Sequence, residues 1–185
     1  MVLNFCTAAS EVDLRQILHL QKINHPSSLS EEQANRDGFV TVVHSLELLT
    51  QMNKAAPQVI AKDGDTVVAY ALVMLKSFAD MIPVLKPMFE RLKSIQYGHG
   101  KITDHSFYVM GQICVAEQFR GKGVFDCLYR KHKELHHQQY ELCVTLVSTR
   151  NKRSLRAHER VGFITVNTFR DATDEWNILV LNLAN

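Results

Sequence analysis

Apolar residues at helical spacing dominate the beginning of the chain. Ser10, followed three residues later by Asp13, resembles a capping box with Asp in place of Glu, and this predicts the start of a helix. The helical repeat consists of Leu14, Ile17, Leu18 and Gln21 and continues to about Ile23. The segment Asn24 to Pro26 ends it.

A second, shorter helix is predicted after a polar segment. Ser28 to Asn35 is polar and only weakly helical. Ser45 precedes an apolar repeat made of Leu46, Leu48, Leu49 and Met52, and this pattern ends at Asn53. Residues 10–53 are therefore expected to be mainly helical.

The pattern changes to strands after Pro57. Val59 to Ala61 and Thr66 to Leu75 are apolar runs on either side of Asp63 and Gly64, a pair that tight hairpin turns favour. These residues predict a β-hairpin.

Weaker signals follow in residues 78–101. The apolar residues of Phe78 to Gln96 have helical spacing, but Pro83 and Pro87 interrupt it, so we predict a broken helix. Tyr97 to Lys101 contains glycine and is predicted to be a loop.

A strand, a helix and a second strand are predicted in the middle of the chain. Phe107 to Val115 is an almost continuous apolar run, Gly121 to Gly123 is a tight turn, and Val124 to about Gln138 is helical. Leu142 to Val147 is a second continuous apolar run. Buried strands joined by a helix are typical of a right-handed parallel unit.

The C-terminal part predicts one more helix and a closing hairpin. The helix covers about Asn151 to Val161 and ends at Gly162. The hairpin pairs Phe163 to Phe169 with Trp176 to Leu183. Because no linker or repeat divides the chain, we expect residues 1–185 to form a single domain.

Composition and charge narrow the possible functions. The chain has 185 residues, 46% of them hydrophobic, and its formal charge is +2, from 21 basic and 19 acidic residues. This balance is typical of a globular protein and does not indicate a nucleic-acid or membrane-surface partner. A basic cluster between Arg150 and Arg160 lacks an accompanying aromatic platform, so we interpret it as a solvated helix face.

The cysteines and the longest apolar run favour a cytoplasmic protein. The four thiols, Cys6, Cys114, Cys127 and Cys143, lack disulfide-framework and metal-ligand spacing, so we expect them to be reduced. Charged residues break up the first 20 positions, where a signal peptide needs an apolar region. The longest apolar run, Val67 to Leu75, has nine residues, too few for a membrane helix.

A glycine turn lies between the first strand of the parallel unit and its helix. Gln118 to Gly123 reads QFRGKG, and a turn there places backbone N–H groups at a helix N-terminus, which favours an anion such as a phosphate. It is neither a P-loop nor a dinucleotide fingerprint, since Asp126 stands where the third glycine would be. An ordinary turn without a ligand remains the alternative.

Two motifs resemble those of the GNAT acyl-CoA N-acyltransferases. The first is Gln118, Gly121 and Gly123 after the strand residues Ile113, Cys114 and Val115; the second is Asn151, Ser154 and then Gly162-Phe163. The resemblance implies an α/β fold (α+β in some schemes) with a single mixed, mostly antiparallel sheet. A splayed parallel strand pair lies at its centre and helices cover both faces.

The resemblance also implies a bound acyl-CoA and its contacts. Backbone groups of Ile113 and Val115 would hold the pantetheine arm, the Arg120 to Phe125 turn would hold the pyrophosphate, and Asn151 would hydrogen-bond the arm near Ser154. The expected cofactor residues are Ile113, Cys114, Val115, Gln118, Arg120, Gly121, Lys122, Gly123, Val124, Phe125, Asn151, Ser154 and His158. Phe125 stands where relatives often carry a further glycine.

Acyl transfer from a thioester to an amine needs an oxyanion site, a base and an acid for the leaving thiolate. Backbone N–H groups of Gln112 to Val115 would serve the oxyanion. His158 occupies the helix position where the family often has a Tyr acid, and a surface histidine without a role is the alternative. His105 and Tyr108 are candidates near the substrate side for the base, and an ordered water chain or a structural His105 is the alternative.

The remaining histidines do not predict a metal site. His132 and His136 lie one helical turn apart and His137 follows, but no third ligand has a fitting spacing. We interpret His132 as a partly buried structural residue, and we expect no metal.

The sequence as a whole leads to one main functional expectation. The protein is expected to be an acetyl-CoA-dependent N-acetyltransferase that transfers the acetyl group directly to a primary amine of an unidentified small molecule or peptide. The alternative is a CoA-binding regulatory module without catalytic activity. We expect no nucleic-acid or membrane partner and leave a homodimer open.

Overall fold

The structure is a computed structural model that describes residues 2–30, 32–33, 39–82 and 86–184. Its main sheet has seven strands in the order β1-β2-β3-β6-β7-β9-β8, mostly antiparallel with one parallel pair, β6 with β7. The strands of this sheet are β1 (Asn4–Thr7), β2 (Val59–Asp63), β3 (Thr66–Met74), β6 (Phe107–Val115), β7 (Leu142–Ser148), β8 (Ile164–Arg170) and β9 (Glu175–Asn182). The predicted mixed sheet with a parallel pair is therefore confirmed.

The helices also lie close to their predicted positions. They are α1 (Glu11–Ile23), α2 (Leu46–Ala55), α3 (Lys86–Leu92), α4 (Val124–His136) and α5 (Lys152–Arg160). Short 3-10 turns occur at Pro26–Ser28, Lys76–Met81, Ile102–Asp104 and Glu117–Phe119. The strand–helix–strand unit and the two hairpins are thus confirmed, with ends that differ by one or two residues.

Two weaker predictions need correction. The predicted loop Tyr97–Lys101 belongs to a small hairpin, in which β4 (Gln96–Tyr97) pairs with β5 (Gly100–Lys101). Gly98 has a φ of +60°, which lets the chain reverse within so few residues. The predicted broken helix Phe78–Gln96 is a 3-10 turn followed by α3, and its residues 83–85 lie outside the described residues, as do 31, 34 and 35 of the weakly helical Ser28–Asn35.

The chain divides into two compact units, each made of two chain segments. The first unit contains Met1–Val73 and Gly111–Glu134, and the second contains Met74–Met110 and Leu135–Asn185. The expectation of a single domain stays a prediction.

The first unit contains β1, β2, most of β3, the second half of β6 and the helices α1, α2 and most of α4. Its core is apolar and fully buried at Ile17, Leu49, Ile60 and Leu72. Gln58 is also fully buried, and its side chain contacts the backbone of Ala56 and Val73 through three hydrogen bonds of 2.7–3.1 Å. A buried amide satisfied in this way joins the end of β3 to the chain before β2.

The second unit contains the first half of β6, with β7, β8, β9, α3, the end of α4 and α5. Its core includes Val144, Ile178 and Leu179 on β7 and β9. Residues 107–109 of β6 pair in parallel with residues 142–144 of β7. Directly after this paired stretch, the Thr145 hydroxyl donates a 3.0 Å hydrogen bond to the Met110 carbonyl, so a side-chain contact follows the last backbone pair.

The N-terminus of α1 is held by the predicted capping box. The Ser10 hydroxyl accepts from the Asp13 N–H, and the Asp13 carboxylate accepts from the N–H groups of Ala9 and Ser10. Lys62 on β2 also binds Asp13 at 2.9 Å. Burial raises the pKa of Asp13, but the hydrogen bonds from Lys62 and from the backbone outweigh this and lower it.

We expect Asp13→Asn to lower the free energy of unfolding by about 1–3 kcal/mol, because a nearly buried carboxylate loses its charge while Lys62 keeps its own. Urea denaturation measures this. The control is Glu11→Gln in the exposed pair with Arg15, where we expect a loss below about 0.5 kcal/mol. Equal, small losses in both variants would contradict the interpretation.

Candidate functional site

The glycine turn connects the end of β6 to the start of α4. Gly121 has a φ of +72° and Gly123 a φ of +75°, a backbone region that residues with a side chain rarely adopt. Apart from each glycine and its two neighbours in the chain, no heavy atom of the described residues lies within 4 Å of a Cβ placed on either glycine. Backbone conformation therefore requires both glycines, and the space beside them is open to a ligand.

The side chains of this turn point in different directions. Gln118 and Lys122 are exposed, whereas Phe119 and Val124 are buried. The Lys122 ammonium lies 5.7 Å from the centre of the Phe119 ring. Phe125, in the first turn of α4, packs against Tyr129 with ring centres 5.1 Å apart. The turn thus presents one exposed cation, Lys122, beside its open backbone.

Arg120 makes contacts within the protein. Its Nε donates to the Val115 carbonyl at 2.9 Å, and its Nη2 donates to the Asn24 side-chain oxygen at 2.6 Å. Asn24 is buried and caps the C-terminus of α1. The contact of Arg120 with a phosphate stays a prediction, and the guanidinium has partners at the end of β6 and at the end of α1.

The end of β6 alternates between buried and half-buried residues. Gln112 and Cys114 are buried, and Ile113 and Val115 are half-buried. Gln112 accepts a 2.6 Å hydrogen bond from the Tyr70 hydroxyl and donates one of 2.8 Å to the Val42 carbonyl. Burial raises the pKa of Cys114 to about 11, so this thiol stays protonated at neutral pH.

Sequence reasoning missed a buried polar pair, Gln21 and His44, on the same unit. The Gln21 side-chain oxygen accepts a hydrogen bond from the backbone N–H of His44 at 2.9 Å. The amide nitrogen of Gln21 is therefore the donor to Nδ1 of the His44 ring, at 3.0 Å. A neutral His44 therefore carries its proton on Nε2. Burial lowers the pKa of His44 to about 4. Only the helical position of Gln21 was visible in the sequence, since its partner is 23 residues away.

In the second unit, Asn151 begins α5. Its side-chain oxygen accepts from the Ser154 N–H at 3.0 Å, which makes it the N-cap, and its own N–H donates to the Ser148 carbonyl. Ser154 is half-buried in the first turn. Asn151 and Ser154 of the second motif therefore lie where β7 ends and α5 begins.

His158 lies on the buried side of α5. Its Nδ1 is 2.8 Å from the Ser154 carbonyl, which can only accept, so Nδ1 carries the proton. Its ring meets Phe163 edge to face, with centres 5.1 Å apart. Burial lowers the pKa of His158 to about 4, although the Ser154 hydrogen bond acts in the opposite direction. His158 is therefore neutral at pH 7 and carries a lone pair on Nε2.

The two candidates for the base lie near the beginning of β6. His105 contacts Glu141 through Nδ1 at 3.5 Å and the Tyr97 carbonyl through Nε2 at 3.4 Å. Tyr108 is fully buried, with ring centres 5.1 Å from His136 and 5.3 Å from Tyr140. These contacts agree with a structural role for both residues.

His132 is a core histidine, as the sequence analysis favoured. It is fully buried, and its Nε2 donates to the Ala71 carbonyl at 3.0 Å. His136 is buried as well, and burial lowers its pKa. Within the ranges that the structure describes, no group of three or more His, Cys, Asp or Glu residues is arranged to hold a metal ion.

The basic cluster of the second unit is largely a solvent-exposed face. Arg150 forms a pair with Asp174 at 2.8 Å, and Ser148 also donates to that carboxylate. Lys152, Arg156 and Arg160 are exposed on α5. The interpretation as a solvated helix face fits these residues.

Comparison with known proteins gives similarity in structure but not in sequence. No model of a known protein family matches the chain, and no curated protein matches it in sequence. Solved structures do match. The ribosomal-protein-S18-alanine N-acetyltransferase of Escherichia coli has a TM-score of 0.64 and 12% identity, with 100% of this chain and 96% of that chain covered.

Two further structures extend this similarity. Salmonella typhimurium yncA, solved with its cofactor acetyl-CoA, has a TM-score of 0.63 and 12% identity over 100% of this chain and 96% of that one. A GNAT-family acetyltransferase of Streptococcus pneumoniae has a TM-score of 0.62 and 10% identity over 98% and 99%. The resemblance to GNAT acetyltransferases is thus confirmed at the level of the fold.

In the part of the chain described, no helix is long and apolar enough to cross a membrane.

The two buried histidines predict a stability that depends on pH. The folded pKa of His44 and of His158 is about 4, below the unfolded value of about 6.5. Between these values the unfolded chain binds more protons, so the free energy of unfolding falls as the pH falls from about 6.5 to 4, by about 1.4 kcal/mol per pH unit for each group. Urea denaturation at several pH values measures this slope.

We expect His44→Gln to make that slope shallower. The control is His99→Gln, because His99 is exposed and its replacement should leave the slope unchanged. Identical slopes in the wild type and in both the His44→Gln and His158→Gln variants would contradict the assignment of neutral, buried rings.

Proposed function

We propose that the protein is an acetyl-CoA-dependent N-acetyltransferase that transfers the acetyl group directly to a primary amine of a small molecule or peptide. The observation that carries this proposal is the turn between β6 and α4, where Gly121 and Gly123 hold positive φ angles beside open space. Such a turn exposes backbone N–H groups at a helix N-terminus, and the diphosphate of CoA is a matching anion. The acetyltransferase fold of the structural neighbours supports the same conclusion.

In this proposal, the cofactor contacts follow from backbone and side-chain exposure. Ile113 and Val115 are half-buried on an otherwise buried strand, so their backbone groups would bind the pantetheine arm as an added strand does. Lys122 would approach the phosphates. Asn151 uses its side-chain oxygen as the N-cap of α5, so its amide nitrogen would be the donor to pantetheine, near Ser154.

The reaction needs few protein groups. The amine nitrogen would attack the thioester carbonyl, an N–C bond would form, and the oxyanion would be held by a backbone N–H of Gln112–Val115. The C–S bond would then break and leave the CoA thiolate. The proton lost by the amine must finally reach that sulfur.

His158 would carry this proton. A neutral ring with its proton on Nδ1 cannot donate from Nε2, so His158 would first accept a proton there and then release it to the thiolate. With a pKa of about 4, the neutral ring is a weak acceptor and the protonated ring a strong donor, so the proton would pass from the amine through Nε2 to the sulfur without remaining on His158. We do not assign the base to His105, whose nitrogens contact Glu141 and Tyr97, or to the fully buried Tyr108.

A second candidate function is a CoA-binding regulatory module without catalysis. The observation that favours it is the burial of His158 at the position where the family often has a Tyr, because a buried, neutral imidazole is a weaker proton donor at rest. Both candidates bind CoA, and only the first releases a thiol from acetyl-CoA when an amine is added.

Thermal unfolding with acetyl-CoA tests binding. At 100 times Kd, a ligand that binds only the folded state adds about 2.7 kcal/mol to the free energy of unfolding. We expect Gly123→Val to abolish this stabilisation, because its side chain strains the turn and fills the space of the phosphates. Gly64→Val is the matched control: Gly64 has a φ of +57° and equally open surroundings, but it lies in the β2–β3 hairpin.

The Gly64→Val variant should lose stability and still respond to acetyl-CoA. If acetyl-CoA and CoA leave the unfolding temperature of the wild type unchanged at saturating concentrations, both candidate functions fail. Stabilisation by acetyl-CoA without thiol release across a panel of amines would favour the regulatory module.

Thiol release with an accepted amine tests His158. We expect His158→Phe to lower turnover by about 100-fold or more, the usual contribution of a positioned acid or base, while stabilisation by acetyl-CoA persists. The pH profile of turnover should change as well. Unchanged turnover together with an unchanged pH profile would show that His158 does not carry the proton.

A further inference from the structure

Arg120 occupies a junction in the first unit where three segments meet: the end of β6, the glycine turn and the C-terminus of α1. We propose that Arg120 is a positioning residue, which sets the affinity for CoA by holding the glycine turn against Asn24 rather than by contacting a phosphate. This inference rests on the proposed function, since it concerns the same cofactor site.

The contacts of the guanidinium define the junction. Nε reaches back to the Val115 carbonyl at 2.9 Å, which closes the chain from the last residue of β6 to the residue before Gly121. Nη2 reaches the Asn24 side-chain oxygen at 2.6 Å. Two nitrogens of one planar group therefore fix the turn relative to two other segments, a geometry that a lysine cannot reproduce.

Asn24 is held at the end of α1 by burial and by its own hydrogen bonds to the helix. It is buried, its amide nitrogen donates to the Leu20 carbonyl at 2.9 Å, and its N–H contacts the last carbonyls of the helix. These carbonyls form the negative end of the helix dipole, where a cation is favoured. The charge of Arg120 is thus matched by protein dipoles at this point.

The same junction extends to residues 39–45. The Asn24 carbonyl accepts from the Val40 N–H at 3.1 Å. Gln112 on β6 donates to the Val42 carbonyl, and Gln21 on α1 holds His44. Asn24 therefore connects the glycine turn with a segment that β6 and α1 also bind. Replacing the Asn24 side chain is expected to change the conformation of the turn.

Lys122 offers the contrast that makes the proposal testable. It lies two residues further along the same turn but is exposed, with its ammonium near the Phe119 ring. A cation that meets a phosphate by charge loses its effect at high salt, whereas a residue that fixes backbone geometry does not. The two residues should therefore differ in how ionic strength changes the consequence of their replacement.

Calorimetric titration with CoA at 0.05 M and 0.5 M salt measures the dissociation constant of each variant. We expect Arg120→Gln and Asn24→Ala each to weaken binding by roughly tenfold or more at both salt concentrations, as the loss of a hydrogen bond to a charged group does. Because both variants lose the contact between Arg120 and Asn24, the loss of affinity in the double variant should be smaller than the product of the two single losses. Lys122→Gln should weaken binding mainly at low salt.

Conservative variants separate positioning from charge and from loss of folding. Arg120→Lys keeps the charge but cannot make both contacts, so it should bind as poorly as Arg120→Gln. A cooperative urea-unfolding transition in each variant shows that the variant folds. Recovery of affinity in Arg120→Lys, a loss confined to low salt in Arg120→Gln, or unchanged binding in Asn24→Ala would overturn the proposal. Failure of the wild type to bind CoA would instead remove the proposed function, and this inference with it.

Discussion

The parallel pairing of β6 with β7 is the constraint on which the rest of the structure depends. Parallel neighbours cannot be joined by a tight turn, so the chain must leave the end of β6, cross over in a helix and return to the start of β7. The crossover helix α4 begins at Val124, after the 3-10 turn and the glycine turn that follow Val115. Two glycines with positive φ make this change of direction possible, and the same geometry creates the helix N-terminus that suits an anion.

Much of this arrangement could be predicted from the sequence because its causes are local. Continuous apolar runs predict β6 and β7, the glycines predict the turn, and a helix is predicted from about Asn151, which the structure shows to be the N-cap of α5. The contacts of Arg120 with Asn24 and of Gln21 with His44 could not be predicted. Their partners are 96 and 23 residues apart, and only the packing of α1 against the rest of its unit brings them together.

Burial, rather than residue type, separates the histidines by chemistry. In the sequence, His158, His105 and His44 are three imidazoles of the same kind. The structure buries His158 and His44 and makes both neutral, while His105 keeps part of its ring in solvent beside Glu141. The tautomers differ as well: the Ser154 carbonyl fixes the proton of His158 on Nδ1, and the Gln21 amide fixes that of His44 on Nε2. No sequence pattern carries this information, except that the Ser154 contact follows helical spacing.

Two of the cations beside the motifs have partners within the protein. Arg120 is directed towards Val115 and Asn24, and Arg150 is held by Asp174, although the sequence places both beside the two motifs. Lys122 at the turn and Lys152, Arg156 and Arg160 on α5 are exposed cations near these motifs. Some cationic side chains in this protein therefore hold the backbone in place, whereas others are exposed where an anion can bind. At the turn, adjacent positions on either side of Gly121 illustrate both uses: Arg120 stabilises the conformation, and Lys122 adds charge where the backbone is open.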